Sequence, residues 1–431
     1  MSFLYLKPKK IILMISLCLC LILTAGCTNV LVRPAGETDA VSDTQTDVPT
    51  EDIFSAETEP LTEAETASPA ETETLPPETE APAETEPVTE QETEAVKEIP
   101  AVVEDDGASV LSVPALSKGT YVNPLTGLVC GKSRAELRPV AIMLNNIKQA
   151  LPQQNIAAAD ILYECEVEGG LTRLLGIYNN YADLKAIGSI RSSREYYIDF
   201  AANHNAIYVH AGGSDAAYVN LKSRAVNNID GVNGGEVTKY FYRDSYRRYT
   251  LGMSLEHTLV IDGDQLNAAI ASKKYRQTYA KDFANPMKFV GPEQTLTLKN
   301  GTAVKTAYIS FAAHQTAFSY DKASNTWLRS QNGYAQVDGV TGEQLAYSNI
   351  LVLGCPYTYT NDEKNHITVT DTGSGKGWYL TGGKCVSIRW SKTSADAPMT
   401  LTYANGREVY LTPGKTCIEI VSDTNKLTVK S

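Results

Sequence analysis

Arg191, Ser192, Ser193 and Arg194 form a basic turn, Ile190-Arg191-Ser192-Ser193-Arg194, directly ahead of a stretch that reads as a helix. Free first-turn amides, the positive end of a helix dipole and two guanidinium groups meet in such a turn, a combination suited to an oxyanion. Arg173 and His210 stand near it in the pattern and complete the candidate anion-binding set of Arg173, Arg191, Ser192, Ser193, Arg194 and His210. Two arginines beside a helix N-terminus oppose its dipole, so an anionic ligand or an internal carboxylate must offset them. Glu166 and Glu168 are the internal candidates, and the ordinary role for His210 is a hydrogen-bonded structural residue at a strand end. No catalytic residue is assigned. No serine sits in a nucleophile elbow and no histidine pair has metal-ligand spacing, so neither a metal nor a cofactor is expected.

The turn needs a scaffold, and the flanking residues supply one. Two β-rich runs, 161–167 and 171–178, are separated by Gly169-Gly170. Ser192 or Ser193 is expected to cap a helix from Glu195 to about Asn203. A short strand over 207–210 follows, Gly212-Gly213 breaks it, and Ser214-Asp215 opens a second helix. Glu164, Glu166 and Glu168 alternate along the first run and so share one face, within reach of Arg173 across the glycine turn. A last strand over 259–262 leads into a helix ending near Tyr275. The run Tyr240–Tyr249 is aromatic and basic, fit either to meet sugar rings or phosphates or to be a partly packed loop.

Beyond about Leu296 the texture changes to short alternating strands with turn signals. Asn300-Gly301 between two such runs predicts a hairpin, as do the polar turn before Trp327 and the Asn405-Gly406 pair. The expected class is α+β: an α/β layered domain over 118–285, then a mostly β module over 286–431.

The 431 residues carry a formal net charge of −12, but the acids are unevenly placed. They crowd into 37–106, where Lys97 is the one base, and the remainder is mildly basic. Residues 1–27 read as an export signal: Lys7, Lys9 and Lys10, an apolar run over 11–23, then Leu23-Thr24-Ala25-Gly26-Cys27. That ending resembles the lipobox of bacterial lipoproteins, which implies diacylation at Cys27 and a lipid-anchored protein on the extracytoplasmic face of the cell membrane. Thr24 departs from the usual aliphatic residue. Residues 28–117 read as a disordered acidic stalk of Thr, Glu and Pro, with too few apolar groups for a core. Cys130, Cys165, Cys355, Cys385 and Cys417 follow, an odd set without CxxC spacing, so no disulfide framework is indicated. The expected partners are the membrane, through the anchor, and a cell-wall polymer or envelope protein; nucleic acid is excluded for an exported chain.

Asn123-Pro124-Leu125-Thr126-Gly127, Arg138-Pro139-Val140-Ala141-Ile142-Met143, Val167-Glu168-Gly169-Gly170-Leu171-Thr172-Arg173, the basic turn and Tyr208-Val209-His210-Ala211-Gly212-Gly213 together resemble the YerB-like bacterial lipoproteins. The resemblance covers about 120–420 and implies a two-part domain of unknown function, with no activity to carry over. A fainter resemblance is to the LytR–CpsA–Psr glycopolymer transferases, through Ala159-Asp160, Ser189-Ile190-Arg191 and His210-Ala211-Gly212-Gly213. It implies the alternative of a phosphotransferase acting on lipid-linked glycans. Ser192 stands where that family places a metal-binding aspartate.

Overall fold

Alternate residues of Ile161–Glu166 enter two different cores, and this follows from the two-residue period of a strand covered on both faces. Ile161, Tyr163 and Cys165 join one core and Leu162 joins the other. The computed structural model describes residues 101–431, which lie in one compact unit.

At its centre is a mixed sheet of eleven strands. In chain order these are β1 (Val140–Asn145), β2 (Ile161–Glu166), β3 (Thr172–Tyr178), β4 (Ile207–His210), β5 (Asn228–Asp230), β6 (Thr302–Ala303), β7 (Asn349–Gly354), β8 (Gly373–Thr381), β9 (Lys384–Lys392), β10 (Thr400–Thr402) and β11 (Thr416–Val421). Across the sheet the order is β6–β9–β8–β7–β11–β2–β3–β1–β4–β5, with β10 also paired to β9. β11 lies between β7 and β2 and is parallel to both. The N-terminal α/β part and the C-terminal β part therefore share one sheet.

Helices α1 (Glu195–Ala202) and α2 (Asp215–Ser223) cover one face, burying Tyr196, Tyr197, Phe200, Ala217 and Leu221. Helix α3 (Gly263–Ser272) covers the other through Leu266, Ala269 and Ile270. That second face also receives a six-stranded antiparallel sheet containing Thr306–Ser310, Gln315–Asp321, Thr326–Gln331 and Leu427–Lys430. Phe318, Trp327 and Tyr347 from it pack on the core of β1, β2 and β7. The α+β class expected from the sequence is the class observed.

Two local expectations are corrected. The stalk expected over 28–117 does not reach that far, because Ala101–Asp105 is a strand paired in parallel with Gln294–Leu298. Its Asp105 is buried, accepting from the Tyr403 hydroxyl at 2.7 Å and pairing with Arg407, so partners distant in sequence order a segment whose own composition is acidic. The earlier part of the stalk, the signal and Cys27 lie outside the described residues. The hairpin expected at Asn300-Gly301 does not form either: Thr302–Ala303 pairs with β9 at the sheet edge. Tertiary pairing overrides the turn signal there. The hairpin joining Gln315–Asp321 to Thr326–Gln331 forms as expected. The five described cysteines are free.

Candidate functional site

The sheet positions the basic turn at the carboxyl ends of parallel strands. β1, β4 and β5 run parallel, and Asn145, His210 and Asp230 close them. Such ends are the usual position for ligands in open α/β sheets. The turn carrying Arg191 to Arg194 crosses here, held by the Arg191 amide donating to Met143 O at 3.0 Å and the Ala211 amide donating to Arg191 O at 3.0 Å. The Ser193 amide donates to Gly212 O at 2.9 Å, tying the basic turn to the glycine turn that starts α2. Gly212 has φ +75°, a conformation that favours glycine.

Glu168 is the carboxylate that the arginines require. It accepts from Arg173 Nη2 at 3.1 Å, from Arg194 Nε at 2.9 Å and from Arg194 Nη2. It reaches them because Gly169 and Gly170, both at positive φ, turn the chain between β2 and β3. A Cβ on Gly170 would lie 2.6 Å from that of Ala312, so no larger residue fits the turn. Arg173 Nη1 also donates to Ser192 O at 2.8 Å, and Arg194 Nη1 to Ser193 O at 2.6 Å. Burial raises the Glu168 pKa, but Arg173 and Arg194 outweigh it and hold the carboxyl below its usual range.

The cations outnumber this carboxylate. Burial, then the charges of Arg194 and Arg191, push the Arg173 pKa down to about 10 against the pull of Glu168. Arg191 donates from Nη1 to the Glu256 carbonyl and carboxylate, both at 3.1 Å, while its buried Nε lacks a partner among the described residues. Arg243, in the aromatic-basic run, is shifted down by burial and by the charge of Arg191. Arg191, Ser192 and Glu168 remain partly open to solvent.

The candidate residues thus divide. Arg173, Arg191, Ser192, Ser193 and Arg194 come together. Neither serine caps α1, whose N-cap is Arg194 without a side-chain bond; the Ser193 hydroxyl instead faces inward and accepts from Tyr208 at 2.9 Å. His210 is fully buried, with Nδ1 2.8 Å from Gly212 O and Nε2 3.3 Å from Asn228 Oδ1, so it braces the glycine turn from behind. In the aromatic run Arg247 is buried, donating to Ala150 O and Pro152 O at 2.6 Å, while Tyr246 and Tyr249 are exposed.

A buried polar cluster around Glu164 escapes sequence reasoning. Glu164 is fully buried and accepts from Asn146, Thr172 and Thr316 at 2.6–2.8 Å, with His314 Nε2 at 2.8 Å and Arg329 against its other oxygen. Glu166 accepts from the Ala312 amide at 3.0 Å. Of the three alternating glutamates, only Glu168 meets Arg173.

The sequence and the fold are similar to those of known proteins. Residues 125–276 match the family described as "Protein of unknown function (DUF3048) N-terminal domain", and residues 304–418 match its C-terminal domain. The protein named "Putative lipoprotein YerB" from Bacillus subtilis (strain 168) is 27% identical over 305 residues, spanning 70% of this chain and 86% of that protein. The crystal structure of YerB from Bacillus subtilis superposes with a TM-score of 0.61 at 24% identity, covering 72% of this chain and 99% of the other. With both of the family's domains present in order on the shared sheet, the chain belongs to the DUF3048 family of YerB-like proteins.

Proposed function

We propose that this is an extracytoplasmic binding protein, anchored at the cell membrane by a diacylglyceryl group on Cys27, that binds an anionic group of the cell envelope at Arg173, Arg191 and Arg194. The observation that supports the binding reading is the charge imbalance: three neighbouring arginines face two carboxylates, Glu168 and Glu256, and the Arg191 Nε has no partner among the described residues. An anion there would accept charge-assisted bonds without displacing Glu168. The acceptor chemistry fits a phosphodiester wall polymer or an acidic face of an envelope protein. The lipoprotein name of the relative supports the anchor. Titration of full-length protein with poly(glycerol phosphate), wild type against Arg191→Ala, tests the site. About a tenfold loss of affinity is expected, roughly 1.4 kcal/mol; equal affinity for the two proteins would remove the site from consideration.

A further inference from the structure

At the opposite edge of the central sheet a cleft of about 460 Å³ opens beside β9, within the size range of small-ligand sites. It exists because the outer edge of β9 is only partly covered: β6 pairs with Lys384 and Cys385, and β10 with Arg389, Trp390 and Ser391. Val386, Ser387 and Ile388 lie between them. The indole of Trp378, half-buried, forms part of the wall, and Tyr403, Asn300, Thr302, Ser387 and Asp106 lie around it.

The chemistry of the wall narrows the ligand. No lysine, arginine or histidine lines the cleft among the described residues, so it does not select an anion. Its carboxylates are already occupied. Asp105 accepts from the Tyr403 hydroxyl at 2.7 Å and the Gly107 amide at 2.8 Å, and Asp106 accepts from the Ala108 and Ser109 amides and the Ser109 hydroxyl at 2.6–2.8 Å. A free cation therefore gains little there. What remains without a partner among the described residues is the Trp378 indole N–H, the hydroxyls of Thr302 and Ser387, and the Asn300 carbonyl oxygen, whose amide nitrogen is spent on Asp106 O at 2.9 Å. A flat aromatic face ringed by uncharged donors and acceptors complements a ligand with an apolar face and many hydroxyls.

We propose that this cleft binds an uncharged glycan segment, with a sugar ring on Trp378 and its hydroxyls on Ser387, Thr302 and Asn300. The site is separate from the arginine cluster and does not depend on it. The tryptophans make a direct test: Trp327 and Trp390 are buried, with 0% and 2% exposure, so Trp378 is the indole open to a quencher. Full-length protein in zwitterionic micelles is titrated with chitohexaose while acrylamide quenching of its fluorescence is followed. Saturable protection of the wild type is expected, weakened about fivefold in Ser387→Ala, an exposed position that leaves the core intact, while Trp378→Phe, which removes the reporter, gives the unquenchable baseline. Arg191→Ala should retain the wild-type protection. Absence of protection in the wild type, equal protection in Ser387→Ala, or stronger protection by poly(glycerol phosphate) than by chitohexaose would each overturn the proposal.

Discussion

Glu164 of β2 and Glu419 of β11 stand directly opposite one another on neighbouring parallel strands, and neither is exposed. Two buried carboxylates at this spacing do not both ionise. Burial raises both, but Arg329 and His314 overcome it at Glu164 and hold its carboxyl well below the usual range. At Glu419, burial and the charge of Glu164 push the carboxyl well above that range, so it is the protonated member.

Replacing Glu419 by Gln should therefore cost little and help at higher pH. The raised folded pKa of Glu419 contributes stability below its ordinary value of 4.5 and loses it as pH rises towards the folded value. An amide keeps the shape without that loss. Unfolding free energies of Glu419→Gln and wild type should nearly coincide near pH 4. They should separate in favour of the variant by up to about 1.4 kcal/mol per pH unit above it. A gap that closes as pH rises would contradict the assignment.

Glu168→Gln leaves Arg173 and Arg194 without their carboxylate. A loss of about 1–3 kcal/mol is expected. An anion that settles among the arginines should recover part of it, since a ligand bound only to the folded state stabilises by mass action. Inorganic phosphate should raise the melting temperature of the variant more than that of the wild type. Equal shifts would mean that no anion enters the cluster.

A second buried acid cluster sets another pH dependence. Burial and then the charge of Asp371 raise the Asp199 pKa to about 7, although Arg224 opposes them. Asp371 pairs with the buried Lys392 at 3.6 Å. With a folded pKa above the unfolded one, Asp199 contributes stability that is complete below about 4 and lost as pH rises through 7. Asp371→Asn should flatten the fall of unfolding free energy between pH 5 and 7; an unaltered slope would refute the coupling.

The anchor is tested by Cys27→Ser. The variant should leave the membrane fraction and lack the mass of a diacylglyceryl group. Two acyl chains suffice for stable attachment where one is marginal. Retention of the variant in membranes would overturn the lipoprotein reading.

What was legible in the sequence was local. The glycine pair after β2, the basic turn, α1, β4 and the Ser214 start of α2 all lie where apolar period and turn residues indicate, and the Ser214 hydroxyl does accept from the Ala217 amide. Glu168 was readable as a partner for the arginines because only a two-glycine turn separates it from β3. Arg329 was not readable as the partner of Glu164, since 165 residues separate them and no local pattern marks the pair. The same limit explains Ala101–Asp105: its acidic, proline-flanked context suits a linker, and only Gln294–Leu298 makes it a strand. The serines do not cap α1 because its N-cap position falls at Arg194, one residue after Ser193, whose hydroxyl accepts from Tyr208.

The position of β11 has a consequence for how the chain must be made. A ribosome delivers β2 long before Thr416–Val421, and until that segment emerges one edge of β2 has no strand to pair with. β7 waits on the same strand from the other side. The N-terminal part therefore cannot complete its hydrogen bonding in the order in which it is synthesised. A nascent chain stays open along this seam almost to its end, and a product truncated before Thr416 keeps the edges of β2 and β7 free for edge-to-edge aggregation.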